Sequence, residues 1–151
     1  MADLRLEKAE KVCNEINERF ANSARAMQVD ASSLESLSKL LNDVLSFYKG
    51  IDVVVNGAGI NSPKPFLEIT EDEWRQVVDS QLTATFFGCQ VFGRHMLKNG
   101  KGSIINISSA SADPALSKAF AYSAAKSGIR SLTQNLGREW GRQGVRVNAI
   151  R

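Results

Sequence analysis

The chain has 151 residues, of which 43% are hydrophobic and 23% charged, and its formal net charge is +3. This length and balance suit one globular domain with a substantial core, and they call for no second domain. No apolar run approaches the roughly 20 residues that a membrane helix needs, and the amino terminus lacks the apolar core of a signal peptide. We therefore expect no membrane partner and a cytoplasmic location.

The charged and rare residues argue against two further classes of protein. After residue 100 there are eight Lys or Arg against only Asp113 and Glu139. Among them, Arg130, Arg138, Arg142 and Arg146 are spread along a predicted helix and its exit, whereas a nucleic-acid-binding protein concentrates such residues in a patch with aromatics. His95 is the only histidine, and Cys13 and Cys89 lie in separate predicted helices. One histidine and two separated cysteines are too few for a zinc site or a histidine-based catalytic triad. We therefore expect neither a metal nor a nucleic-acid partner.

Helical and strand patterns alternate along the whole chain. Apolar residues at helical spacing predict helices, and short β-branched runs predict strands of a parallel sheet. In chain order we predict a helix at Arg5–Phe20, a strand at Ala24–Val29, a helix at Leu34–Tyr48, a strand at Ile51–Val55, a long helix opened by a capping box at Thr70–Glu73 and ending near Lys98, a strand at Ser103–Ser108, a helix at about Tyr122–Arg142 and a strand at Val145–Ile150.

Two stretches at strand ends have the character of a functional site. The first is the turn Asn56-Gly57-Ala58-Gly59, whose small residues let a ligand approach the carboxyl end of a strand, where open parallel sheets bind their ligands. The second joins Ser109, at the end of the central strand, to Tyr122 and Lys126, which lie four residues apart in the next helix.

The spacing of Tyr122 and Lys126 suits proton transfer. Residues four apart share a helix face, so the ammonium lies one turn from the phenol. A nearby cation and a helix N-terminus both favour the phenolate, and such a tyrosine can exchange a proton with a substrate oxygen that a serine hydroxyl holds. Tyr-x-x-x-Lys pairs also occur by chance on surface helices, so the neighbouring motifs decide between the two readings.

The motifs that surround Tyr122 and Lys126 together resemble those of a known family. The strand Gly102–Ser109, the turn Asn56–Gly59 and the strand Val145–Ile150 occur in order around Tyr122 and Lys126, and together they resemble the short-chain dehydrogenase/reductase family. The resemblance implies an α/β fold with a partial Rossmann-like, doubly wound parallel sheet in three α/β/α layers. It also implies an oxidoreductase that interconverts a small alcohol and a ketone with a nicotinamide cofactor.

The resemblance assigns roles in catalysis to four residues. Tyr122 would be the general acid or base, Ser109 would hold the substrate oxygen, and Lys126 would support the tyrosine and bind ribose hydroxyls. Gln81 occupies the position of a family asparagine that helps to hold a water between the lysine and solvent. Its extra methylene would displace the side-chain amide, although a contact through the backbone carbonyl could survive.

Cofactor-binding residues are also implied by the resemblance. Asp3 matches an acidic residue that accepts hydrogen bonds from the adenosine ribose, which favours NAD over NADP, although Asp3 could equally cap the following helix. Asp30 matches a residue that contacts the adenine. The turn Asn56, Gly57, Ala58 and Gly59 matches one that usually has two asparagines, so one side-chain anchor is lost here.

The resemblance is incomplete at both ends of the chain. The family opens with a strand and a glycine-rich turn that holds the pyrophosphate, and these residues contain no such turn. A Pro-Gly and a substrate loop would be expected after Arg151. We therefore interpret residues 1–151 as one incomplete dinucleotide-binding domain, expected to form a homodimer or homotetramer through the helices around Gln81 and Tyr122. The alternative is a catalytically silent relative that serves as a binding or subunit-assembly module.

Overall fold

A computed structural model describes residues 1–113 and 116–151, so Pro114 of the loop before Tyr122 lies outside the described residues. Five strands alternate with five α-helices. Their bounds are β1 Ala2–Asp3, α1 Leu6–Arg19, β2 Met27–Gln28, α2 Leu34–Phe47, β3 Val53–Asn56, α3 Glu71–Val78, α4 Ala84–Lys98, β4 Gly102–Ile107, α5 Phe120–Trp140 and β5 Val145–Ile150.

All pairings between the described strands are parallel. β1 pairs with β2, and β3, β4 and β5 form a three-stranded sheet with β4 in the centre. Helices connect successive strands, as parallel strands require, so the predicted α/β fold with a doubly wound parallel arrangement is confirmed. The two sheets are not hydrogen-bonded to each other in the described residues, so β3 is an edge strand of the three-stranded sheet.

Two helix starts follow from their capping residues. The Ser33 hydroxyl accepts a hydrogen bond from the backbone N–H of Ser36 and opens α2. Thr70 and Glu73 exchange hydrogen bonds in a capping box at the start of α3, as the sequence predicted. Lys64 and the Thr70 backbone N–H bind the Glu73 carboxylate and lower its pKa to about 2. That carboxylate therefore stays charged at neutral pH and holds the cap in place.

The long helix predicted from Thr70 to Lys98 is interrupted. A π-helical turn at Asp79–Thr83 separates α3 from α4, and Gln81 lies in its middle. The apolar periodicity continues through this turn, so the sequence pattern does not reveal it. The strand predicted at Ala24–Val29 is also shorter than expected, with only Met27–Gln28 paired to β1.

The larger core lies between the three-stranded sheet and the helices α4 and α5. Met96, Ile104 and Val145 are completely buried there. Gly93 brings α4 close to α5, because a Cβ at this position would lie 2.6 Å from the Trp140 ring. These contacts pack the start of β4 against α4 and the end of α5, while Ser109 follows the other end of β4 and Tyr122 lies at the other end of α5.

The other face of the three-stranded sheet is open. Val53, Val55 and Ile150 point to this face and each is more than half exposed, whereas Val54 is partly buried and Val147 is buried on the opposite face. Parallel sheets normally have both faces covered, so this apolar surface departs from the usual pattern. Among the described residues, no helix has the length and apolar character required to cross a bilayer.

The buried thiol of Cys89 gives a direct test of this core. The Cys89 side chain is 2% exposed, and burial raises its thiol pKa to about 11. In a Cys13→Ser variant, which leaves Cys89 as the one thiol, we expect a thiol reagent at pH 8 to label less than about a tenth of the folded protein over minutes, because the reactive thiolate is scarce and shielded. The same sample in urea should label fully. Rapid labelling without denaturant would contradict the packing of α4 on the sheet.

Candidate active site

The end of β4 and the first turns of α5 bring three predicted residues together. Ser109 follows β4 and opens a 3₁₀ turn at Ala110–Ala112, while Tyr122 and Lys126 lie on consecutive turns of α5. The Ser127 hydroxyl donates to the carbonyl oxygen of Ala112 at 2.9 Å, which fastens this turn to α5 beside Lys126. The serine, tyrosine and lysine of the sequence prediction therefore share one region of the fold.

Lys126 points inward from α5. Its Nζ donates a 2.6 Å hydrogen bond to the carbonyl oxygen of Ile107, the last residue of β4, and it lies 5.4 Å from the centre of the Tyr122 ring. The residue is 4% exposed, and burial lowers the pKa of its ammonium. The Lys126 ammonium thus lies near Tyr122, and the main chain of β4 supplies the hydrogen-bond acceptor for this ammonium.

The turn after Ser109 is tightly connected. The Ser109 oxygen accepts hydrogen bonds from the backbone N–H of Ser111 at 3.2 Å and from its hydroxyl at 2.9 Å. Asp113, at the end of the turn, forms ion pairs with Arg130 of α5 and with Arg151 after β5. The hydroxyl at position 109 is therefore presented from a turn fixed at several points.

Gln81 occupies the π-helical turn and binds a loop. Its Nε2 donates to the carbonyl oxygen of Ile60 at 2.8 Å, whereas its buried Oε1 has no hydrogen-bond partner among the described residues. Its backbone carbonyl accepts from the Thr85 hydroxyl at 2.8 Å. A Cβ on Gly59 would lie 2.3 Å from the Gln81 side chain, so glycine is required at that point. The glutamine therefore holds the loop after the small-residue turn.

The turn Asn56–Gly59 has two different parts. Gly57, Ala58 and Gly59 are exposed at the carboxyl end of β3, as expected for a surface that a ligand can approach. Asn56 instead points into the core, where its Nδ2 donates to Asn106 Oδ1 at 2.9 Å. The Asn56 side-chain donor is thus already used within the protein, and only the following three residues face outward.

Asp3 is the last residue of β1, where it pairs with Gln28, and Asp30 lies two residues after β2. The Asp3 carboxylate accepts a hydrogen bond from the backbone N–H of Arg5 at 2.9 Å. Because Arg5 is the N-cap residue of α1 and no side chain caps this helix, the alternative that Asp3 caps the helix is wrong. The Asp30 carboxylate binds the backbone N–H and hydroxyl of Ser32. Asp30 is exposed and Asp3 is partly exposed, so neither local contact buries its carboxylate.

A dinucleotide placed on these residues would find partners for its two nucleoside ends but not for its centre. Lys126 and the exposed Gly57–Gly59 turn give a cation and open backbone at the carboxyl ends of β3 and β4, and the two aspartates supply acceptors at or just after the ends of β1 and β2. No glycine-rich turn opening a helix occurs among the described residues to receive a pyrophosphate. The fit therefore covers the nucleoside ends and not the centre of the cofactor.

Sequence reasoning missed several residues that organise this region. Asn106 is fully buried and links Asn56 to the hydroxyl of Thr133 on α5, with hydrogen bonds of 2.9 Å on each side. Ser111 and Ser127 fix the turn after Ser109. The strand alternation that makes Ile104 a core residue also places Asn106 inside, so this one signal was present in the sequence.

Comparisons with known proteins agree with this geometry. A family model described as short chain dehydrogenase matches residues 1–151. An NAD-dependent glycerol dehydrogenase of Listeria innocua is 34% identical over 83% of this chain, and a D-threitol dehydrogenase of Mycolicibacterium smegmatis is 34% identical over 98%. A crystal structure of a gluconate 5-dehydrogenase from Burkholderia cenocepacia with NADP and tartrate superposes with a TM-score of 0.91 at 27% identity and covers 99% of this chain.

The same comparisons also give the share of each relative that this chain covers. This chain spans 49% of the glycerol dehydrogenase, 56% of the D-threitol dehydrogenase and 58% of the gluconate 5-dehydrogenase chain, or about half of each relative. The family model matches residues 1–151, which contain the described parallel strands and the helices that connect them. The chain belongs to the short-chain dehydrogenase/reductase family.

Proposed function

We propose that this protein contributes the proton-transfer half of a nicotinamide-dependent oxidoreductase that interconverts a small alcohol and a ketone. The observation that carries the proposal is that the turn opened by Ser109 is hydrogen-bonded, through Ser127, to the helix α5 that carries Tyr122 and Lys126. A hydroxyl, a phenol and an ammonium in one place, in a chain of this family, suit proton exchange with a substrate oxygen.

The chemical roles follow from the three groups. In the direction of reduction, Tyr122 donates its proton to the carbonyl oxygen, and Ser109 donates a hydrogen bond to the same oxygen. The Lys126 ammonium, 5.4 Å from the tyrosine ring, stabilises the negative charge that the phenol acquires. In oxidation the phenolate takes the proton back. Gln81, through the Ile60 carbonyl, holds the neighbouring loop in place.

A nicotinamide cofactor, when bound, supplies or accepts the hydride. Lys126 would exchange part of its contact with Ile107 for ribose hydroxyls, and the exposed Gly57, Ala58 and Gly59 would line the path along the sheet edge. Asp3 would accept hydrogen bonds from the adenosine ribose, and Asp30 would lie near the adenine. We favour NAD over NADP because the charge of Asp3 repels a 2′-phosphate.

The relatives point to the substrate class and the assembly. Names such as glycerol, D-threitol and gluconate dehydrogenase suggest a small polyol or sugar acid as substrate. For assembly we favour a homodimer or homotetramer through α4 and α5. These helices border a cavity of about 140 Å³ lined by Phe86, Leu132 and Leu136, and Phe86 is 45% exposed.

A second candidate is a catalytically silent binding or assembly module. It is favoured by the hydrogen bond that already engages Lys126 and by the open apolar face of the sheet. Such a protein would keep the helices α4 and α5 for assembly and would bind no dinucleotide.

Cofactor titration separates the two candidates. We expect NADH to produce a saturable change in the fluorescence of Trp74 and Trp140, with a weaker response to NADPH. An Asp3→Asn variant should reduce the preference for NADH over NADPH by about 10-fold, since it removes the charge that disfavours the phosphate. An Asp43→Asn variant, which changes an exposed carboxylate on α2, is the matched control. The absence of any saturable change would support the silent module.

A further inference from the structure

Ser111 contacts the hydroxyl of Ser109, which is proposed to hold the substrate oxygen. It lies two residues after Ser109, it is 3% exposed, and both its backbone N–H and its hydroxyl reach Ser109 Oγ, at 3.2 and 2.9 Å. Neither the family resemblance nor the comparisons assign it a role. These two contacts determine what the Ser109 hydroxyl can still do.

The direction of the hydroxyl–hydroxyl bond follows from burial. A serine hydroxyl has one donor and two acceptor positions. Among the described residues, the Ser111 hydroxyl has Ser109 Oγ as its one hydrogen-bond partner. A buried donor without an acceptor is costly, so Ser111 donates to Ser109. Ser109 is partly exposed, and its own proton can therefore go to a group outside the protein.

This arrangement selects the role of Ser109. The N–H and O–H of Ser111 together fill both acceptor positions of the Ser109 oxygen, which leaves its O–H as the remaining hydrogen-bonding group. We propose that Ser111 is a positioning residue that fixes the Ser109 hydroxyl as a donor to the substrate oxygen. The inference rests on the proposed oxidoreductase function and adds a residue to it.

The surroundings keep Ser111 in this position. Ala112 is tied to α5 by the Ser127 hydroxyl, and Asp113 is tied to Arg130 and Arg151. The turn is thus anchored on its far side to the same helix that carries Tyr122. Without the Ser111 hydroxyl, the turn would stay in place, but Ser109 would regain a free acceptor position and could turn its proton away from the substrate.

The test is a double-mutant cycle on activity. With NAD and a panel of glycerol, D-threitol and gluconate, Ser111→Ala should lower kcat/KM by roughly 10-fold, mainly through kcat, because a donor to the reacting oxygen loses its orientation. In a Ser109→Ala background the same change should have less than about a twofold further effect. Ser111→Cys, of similar size and with a weak donor, should fall between Ser111→Ala and the unchanged protein.

A control variant and a second measurement keep the outcome decisive. Ser123→Ala removes a buried hydroxyl that has no partner among the described residues, and it should leave kcat/KM unchanged. The same cycle measured by urea unfolding should be non-additive, because either single change already removes the 2.9 Å bond. Additive effects in both measurements, or full activity of Ser111→Ala, would overturn the proposal. If the unchanged protein oxidises none of the panel, the proposed function fails, and the unfolding cycle alone decides whether Ser111 is bonded to Ser109.

Discussion

Replacing Tyr122 by Phe is expected to lower kcat by about 10²–10⁴-fold, because the substitution removes the group that exchanges a proton with the substrate oxygen. The ring remains on the first turn of α5, and Lys126 keeps its bond to the Ile107 carbonyl. We therefore expect the dissociation constant for NADH to stay within about twofold of its original value. Steady-state oxidation of the polyol panel gives kcat, and fluorescence titration gives the binding constant.

A second tyrosine supplies the control for that experiment. Tyr48 follows α2, is 47% exposed and lies outside the proposed site. Tyr48→Phe should retain full activity and binding. Unchanged turnover in the Tyr122→Phe variant would refute the proton-transfer role, and a loss of NADH binding in that variant would instead indicate a damaged fold.

Replacing Asn106 by Ala is expected to have the largest effect on stability. The Asn106 amide is completely buried and bridges Asn56 on β3 and Thr133 on α5. Its loss leaves the Asn56 side-chain donor without its oxygen acceptor and creates a cavity beside Cys89, where the thiol contacts Asn106 at 3.6 Å. We expect the free energy of unfolding to fall by about 2–4 kcal/mol, measured by urea denaturation.

Asn135→Ala is the matched control. Asn135 is exposed on α5, the helix that carries Thr133, and its side chain bonds only within that helix, to the Ser131 carbonyl. Its free energy of unfolding should change by less than about 0.5 kcal/mol. Equal effects at the two positions would contradict the view that the buried amide network joins the sheet to α5.

Much of the fold could be predicted because its signals are local. The capping box of Thr70 and Glu73 and the β-branched run before Asn56 are contained in a few neighbouring residues, and the structure confirms them. The π-helical turn around Gln81 could not be predicted in this way. It depends on the Ile60 carbonyl and the close approach of Gly59, which lie more than twenty residues away along the chain.

The sequence proposes residues for the candidate site but does not give the orientations of their side chains. The spacing of Tyr122 and Lys126 places both on one face of α5, but it does not tell that Lys126 binds the Ile107 carbonyl. Likewise, Asn56 belongs to the predicted turn, yet its side chain turns inward to Asn106 because the strand alternation continues through it. The partner that a polar side chain binds depends on segments that are distant along the chain, and the local sequence pattern does not contain that information.

The open side of the three-stranded sheet bears on how this chain behaves at high concentration. The exposed valines of β3 and the isoleucine of β5 lie on one face of the sheet and form apolar strips on its two edge strands, with β4 between them. Two such strips can stack, and unpaired strand edges can add neighbouring strands, so the surface is a template for aggregation. The net charge of +3 opposes this only weakly, since salt screens charges separated by more than about 10 Å at 0.1 M ionic strength. We therefore expect the open sheet surface, more than the net charge, to govern how these residues behave at high concentration.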